Sequence, residues 1–297
     1  MAAVVAARGL GKRYGSRWAL TDCTLSVPPG RVTGLVGPNG AGKTTLLHLA
    51  TGLLVPTTGT IEVAGGPPAA SAAQLARVGF VAQNTPTYAG LSVADHLRLG
   101  AHLNPRWDGQ LARDRIRRLG LEPAQKAGQL SGGQRAQLAL SLAIAKRPEL
   151  LILDEPVASL DPLARRDFLQ DLIQATAEHQ LSVVLSSHLV ADIERVCDYL
   201  IVLAAARVQA AGEVQDLLAA HYLITRSSAT ASILPAGWQV ICSSSAGRQV
   251  TMLIRADGPV DDRAWSISPP GLEDLVLAYM SRAADAAGHP HALEAQR

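Results

Sequence analysis

The sequence predicts an α/β protein, and two observations carry that expectation. The first is the stretch Leu35-Val36-Gly37-Pro38-Asn39-Gly40-Ala41-Gly42-Lys43-Thr44-Thr45. It fits G-x-x-x-x-G-K-[ST], with a β-leaning run at 31–36 before it and a helical run at 43–51 after it. The second is a set of strand-length apolar runs, at 78–81, 150–153 and 181–185, each followed closely by polar residues. Such runs suit strands buried on both faces of a sheet, and helical segments lie between them.

Bulk properties narrow the class. At 297 residues the chain suffices for one large domain or two ordinary ones, and 48% hydrophobic with 18% charged residues describes a globular protein. A net charge of +2 argues neither for a nucleic-acid partner nor for attraction to anionic lipid. Cys23, Cys197 and Cys242 form no C-x-x-C, which suits a reducing compartment and speaks against structural zinc. Residues 1–8 are apolar but too short for a signal peptide and read as a first strand. No run approaches the roughly 18 apolar residues of a membrane span, so a chain soluble by itself is expected, with any membrane role coming through a partner.

In chain order, 4–8 and 19–27 read as strands closed by the turn Pro28-Pro29-Gly30. Between them, Tyr14 has a ring that suits a purine face, though alone it reads as a half-exposed strand-end residue. In the Gly-rich loop, glycines let the backbone wrap a phosphate chain and leave amides free as an anion site. Lys43 adds a charge for the β- and γ-phosphates, the Thr44 hydroxyl can ligate Mg²⁺, and Gly52 is placed to end the helix. A turn-rich link, a strand at 60–63 and a helix at 69–77 lead to the run at 78–81. Gln83 follows it and can reach a metal or a water, although in isolation it reads as an ordinary loop glutamine.

From 84 to 129 strand signals give way to helical ones. Ser92 and Asp95 form a capping pair before a helix at 93–102. At 111–119 one face carries Leu111, Ala112, Ile116 and Leu119, and Arg113, Arg115, Arg117 and Arg118 fall mostly on the other, as a solvated face. Leu130-Ser131-Gly132-Gly133-Gln134 then opens a helix to 146, and is a second anion site at a helix start. That helix is apolar nearly all round and so predicted buried; Pro148 ends it.

The strand at 150–155 delivers Asp154 and Glu155 at its tip. Asp154 belongs beside Thr44 on the Mg²⁺, and Glu155 can take a proton from an attacking water. Ser159-Leu160-Asp161-Pro162 turns into a helix at 163–177, and the strand at 181–187 ends in His188, which alone reads as a solvated histidine. Segments 198–203 and 207–212 read as a strand pair, and 214–220 as a helix.

Taken together and in this order, the residues resemble the ATP-binding cassette (ABC) ATPases. Tyr14 stands in the aromatic position, residues 37–44 in the phosphate loop and Gln83 in the Q-loop. Residues 130–134 match the LSGGQ signature, 150–155 the Walker B strand, 159–161 the D-loop, and His188 the switch histidine. The resemblance covers about residues 1–220. It implies a P-loop NTPase core with a mixed sheet, an N-terminal antiparallel β subdomain and an inserted α-helical subdomain at about 84–150. It implies ATP and Mg²⁺, bound by Tyr14, Gly37, Asn39, Gly40, Gly42, Lys43, Thr44 and Thr45, with Thr44, Gln83 and Asp154 at the metal. Glu155, His188, Gln83 and Lys43 would be the catalytic set. Two such subunits would pack head-to-tail, with ATP between one loop and the Ser131, Gly133, Gln134 and Asp161 region of the other.

One cassette and no spans point to a subunit working with a separate transmembrane permease, at the inner face of the cell membrane. The segment 221–297 is expected to be a small α+β extension with a hairpin built from 238–242 and 249–255. Residues 269–279 resemble the "SLED-x-F-L" helix that closes ABC-2 exporter ATPases, with Val276 in place of Phe, and a polar, Ala-rich tail is expected after about 281. The reading is an ATP-hydrolysing subunit of an exporter, acting as a homodimer that closes on ATP, with no nucleic-acid partner. The alternatives are a soluble nucleotide switch acting on a non-membrane partner and the ATPase of an importer.

Overall fold

The computed structural model describes residues 2–83, 87–227, 234–235, 237–258, 260 and 265–286. Strands β1 (Val5–Tyr14) and β2 (Arg17–Val27) open the chain as an antiparallel hairpin. Val5, Ala7 and Leu10 on β1 and Leu20, Cys23 and Leu25 on β2 turn inward and are buried. β1 runs on to Tyr14, beyond the expected end at residue 8. Register shifts between Ala7 and Arg13 absorb the extra residues while pairing continues, so 12–14 is a strand end and not a connection.

β3 (Val32–Val36), buried at all five positions, feeds α1 (Lys43–Ala50), and β4 (Thr58–Val63) returns to pair with β1. The short α2 (Ala72–Ala76) begins later than residue 69 because Ala69 has φ 54° and the Ser71 hydroxyl caps Gln74 N–H. β5 (Val78–Val81) follows, then α3 (Val93–Leu103) with its Ser92–Asp95 capping box, α4 (Gly109–Arg118) and α5 (Gly132–Ala145). The chain continues through β6 (Leu150–Asp154), α6 (Pro162–His179), β7 (Ser182–Ser187), α7 (Val190–Glu194), β8 (Tyr199–Ala204) and β9 (Arg207–Glu213).

The main sheet has the order β5-β6-β7-β3-β8-β9, parallel except for β9. One face packs Leu151, Leu153, Val183 and Leu185 against Leu140, Ile144, Phe168 and Leu172 of α5 and α6. The other packs Leu150, Ile152, Val184 and Ile201 against α1 and the three-stranded sheet β2-β1-β4. Burial on both faces is why these strands are continuously apolar. The fold is therefore the expected α/β arrangement: a mixed sheet, an antiparallel β subdomain and a helical subdomain.

Arg115 does not sit on a solvated face: it is 2% exposed, ion-paired with Asp171 of α6, and its Nε lies 3.3 Å from Ser141 Oγ of α5. Arg115 follows Ala112 by three residues and precedes Ile116, so it shares the stripe by which α4 docks.

Beyond β9 come α8 (Val214–Ala219), β10 (His221–Ser227), β11 (Gln239–Ala246), β12 (Gln249–Arg255), β13 (Ser266–Ser268) and α9 (Leu272–Ala286). The four strands form an antiparallel sheet of order β11-β12-β10-β13. Leu272, Leu275, Val276 and Tyr279 of α9 join the main core with Ile241 and Leu253. Val276 is fully buried. α9 runs past residue 281, where a tail was expected, because Ala283 is still buried; residues 287–297 of that tail lie outside the described residues. Among the described residues no helix is long and apolar enough to cross a membrane.

Candidate active site

Strands β3, β6 and β7 lie in parallel register, so their C-terminal ends meet along one edge of the sheet. That edge is where parallel α/β sheets bind ligands. β3 releases the Gly-rich loop, β6 releases Asp154 and Glu155, and β7 releases His188.

The glycines of the loop are required by close approach. A Cβ on Gly37 would stand 2.0 Å from the Leu203 carbonyl oxygen, and one on Gly42, at φ 106°, 2.4 Å from that of Ala19. Gly42 is also the N-cap of α1 and supplies no side-chain cap, so the first amides of the helix are left for an anion. Lys43, 5% exposed, folds back under the loop: its Nζ donates to Gly37 O at 2.7 Å and lies 3.2 Å from Glu155 Oε1.

Glu155 adopts φ 46°, a left-handed backbone that costs a non-glycine residue energy. The turn swings its carboxylate inward, where Oε2 stands 3.1 Å from His188 Nδ1. Ser186, which sequence reasoning missed, ties the acids together. Its hydroxyl donates to Asp154 Oδ1 and accepts from the Glu155 amide, each at 2.8 Å. No sequence signal marked it: Ser186 becomes the β7 partner of Asp154 only through the strand register.

A cleft of about 470 Å³ is lined by Tyr14, Asn39, Gly40, Gly42, Lys43, Thr44, Thr45, Gln83 and Glu155. Residues far apart in sequence are thus brought to one place, with Asp154, 1% exposed, just beneath and His188 on Glu155. Arg17 and Ala19 also line the cleft and were not expected there. Tyr14 is half exposed, with Lys12 Nζ 5.6 Å from its ring centroid.

Four expected residues are elsewhere. Ser131 and Gln134 form a capping box at the start of α5, the Ser131 hydroxyl accepting from Gln134 N–H and the Gln134 side chain from Ser131 N–H. Asp161 caps α6 by accepting from the Leu163 and Ala164 amides. Gly133 lets these two helix starts pack, since a Cβ there would stand 3.0 Å from Ala164 Cβ. Neither group lines the cleft.

The donors proposed for a metal are a hydroxyl, an amide and a carboxylate, all hard oxygens of the kind Mg²⁺ takes alongside phosphate. Among the described residues no group of three or more His, Cys, Asp or Glu could hold a metal. The donor set therefore fits a cation that arrives with a phosphate chain, not a self-contained metal centre.

Residues 20–158 match the ABC transporter family. The chain is 34% identical over 226 residues to the Nod factor export ATP-binding protein I of Cupriavidus metallidurans, covering 73% of this chain and 74% of that one. It is 35% identical over 211 residues to the sulfate/thiosulfate import ATP-binding protein CysA of Mycobacterium tuberculosis, covering 69% of this chain and 60% of that one. A solved structure of an ATP binding subunit of an ABC transporter matches with a TM-score of 0.65 at 28% identity, over 72% of this chain and 91% of that one. The chain belongs to the ATP-binding subunits of ABC transporters: it is an ABC-type ATPase coupled to transport, of a family whose ATPase subunits partner with transmembrane permease components.

Proposed function

We propose that this chain powers export through a separate permease by ATP-driven closure of a homodimer. One observation carries the dimer. The cleft and the Ser131–Gly133 helix start each suit an anion, yet Ser131 and Gly133 do not line the cleft. A single ATP cannot use both from the same chain, whereas a two-fold pair uses each surface twice.

In this reading Tyr14 stacks on adenine, and Gly37, Asn39, Gly40, Gly42 and Thr45 wrap the phosphates with Lys43. Thr44, Asp154 and Gln83 hold Mg²⁺, which neutralises phosphate charge when bound. Glu155 accepts the proton of the attacking water and His188 meets the γ-phosphate. Ser131, Gly133, Gln134 and Asp161 come to that ATP from the second subunit. The Lys43–Glu155–His188 chain supports these roles, because Glu155 already sits 3.2 Å from Lys43 Nζ and 3.1 Å from His188 Nδ1.

Residues 1–220 would be the ATPase unit, with a helical subdomain at about 84–150, and 221–297 an extension. The segment Leu272-Glu273-Asp274 opening α9 supports the export direction, as does the relative named for Nod factor export. The CysA relative is named as an importer, so import stands as the second reading. The working place would be cytoplasmic, on the inner face of the cell membrane, without nucleic acid.

The test is affinity purification of the tagged protein from detergent-solubilised membranes of its own cell. A multi-span partner at equal stoichiometry, with no extracytoplasmic binding protein, is the expected result. A co-purifying substrate-binding protein would turn the reading to import. Only soluble partners, with ATPase activity intact, would overturn transport through a permease.

A further inference from the structure

The β1–β2 hairpin carries a cation that neither the fold nor the site described above employs. Its turn is the two-residue Gly15-Ser16, with Gly15 at φ 58°, so Tyr14 and Arg17 are directly opposed across the strands. Directly opposed residues project to the same face of a hairpin. Arg13 and Trp18, the next pair, take the opposite face, with the Arg13 guanidinium 5.5 Å from the Trp18 ring centroid.

Three cations flank Tyr14, and their partners differ. Lys12 donates to the Val55 carbonyl at 2.8 Å, and Arg13 lies over Trp18. Arg17 makes no ion pair or hydrogen bond among the described residues, yet it lines the phosphate cleft. It stands beside the loop itself: a Cβ built on Gly40 would be 3.8 Å from Arg17 Nη2. An exposed arginine with five free donors has no structural duty in this hairpin, and a planar guanidinium fits phosphate oxygens.

We propose that Arg17 is a nucleotide-binding residue that closes the cleft from the hairpin side and contacts the phosphate nearest the sugar. This rests on the reading in which Tyr14 takes the base and Lys43 the far end of the phosphate chain. The first phosphate must then lie between them, where Arg17 stands. Arg17 thus holds the nucleotide by charge before the second subunit arrives, and it does so for ADP as well as ATP.

The test is equilibrium binding of ADP and of adenosine to the full chain, with wild type, Arg17→Ala, Arg17→Lys and Lys43→Ala compared. Arg17→Ala is expected to weaken ADP binding about tenfold, the effect of losing one charge-assisted contact. It should leave adenosine binding and the ligand-free melting temperature unchanged, and Arg17→Lys should recover part of the loss. Equal losses for ADP and adenosine, or none for either, would overturn the proposal. The underlying reading fails separately: in that case Lys43→Ala would bind ADP as wild type does.

Discussion

Glu155 reaches back over the phosphate loop to Lys43: Oε1 is 3.2 Å from Nζ, and both side chains are nearly buried, at 10% and 5% exposure. The carboxylate is the counter-charge of the ammonium. In the proposed reading, a phosphate chain entering the cleft would compete with Glu155 for Lys43 and leave the displaced carboxylate facing the reacting end, with His188 beside it. Nucleotide binding and the freeing of the base would then be one event.

Replacing Glu155 by Gln is accordingly expected to do two things at once. ATP turnover should drop by about 10²–10⁴-fold, the usual worth of a general base. ADP binding should hold or tighten, because Lys43 no longer has an anionic partner. Steady-state turnover and calorimetric binding measure the two halves, and wild-type turnover would show that the base lies elsewhere.

Ser186→Ala tests a positioning residue. It strips the Glu155 amide and Asp154 Oδ1 of the same partner in a fully buried place. The expected outcome is a fall in kcat with KM for ATP little changed, with a stability loss of about 1–3 kcal/mol. Ser186→Thr should restore part of kcat if the hydroxyl acts by orientation.

The buried Arg115–Asp171 pair links α4 to α6. Removing one partner leaves an uncompensated charge, so Arg115→Met alone should cost about 3–5 kcal/mol in denaturant unfolding. Arg115→Met with Asp171→Leu should recover much of that loss. If the single variant unfolds like wild type, the pair contributes nothing to the docking of these helices.

His221 gives a pH dependence. Burial pushes its imidazole below the ordinary 6.5, the Leu217 carbonyl opposes this, and Arg255 acts with burial. The folded state then binds fewer protons than the unfolded one in the window below pH 6.5, so stability rises with pH there and is lost as pH falls through it. Its Nε2 lies 2.9 Å from Tyr279 Oη, which ties β10 to α9. Melting temperatures at pH 5 and pH 8 should differ less for His221→Gln than for wild type. A residual slope of the same sign comes from His179, whose pKa is lowered mainly by burial.

The sequence by itself determined the chemistry and its order along the chain. The Gly-rich loop, the acids at 154 and 155 and the strand-end His188 were legible because fixed spacings and apolar runs are local properties. Only the tertiary structure decided which of these residues meet. Ser186 is a plain strand serine until the register of β6 and β7 sets it between the Asp154 carboxylate and the Glu155 amide. Arg17 is one of several hairpin cations until the Gly15-Ser16 turn puts it at the mouth of the cleft. Arg115 read as a surface charge because helical periodicity assigns a face but not the neighbour that face will meet, and Asp171 lies 56 residues away. Ion pairs, register and close backbone approach join distant residues, and that information enters only when the chain packs.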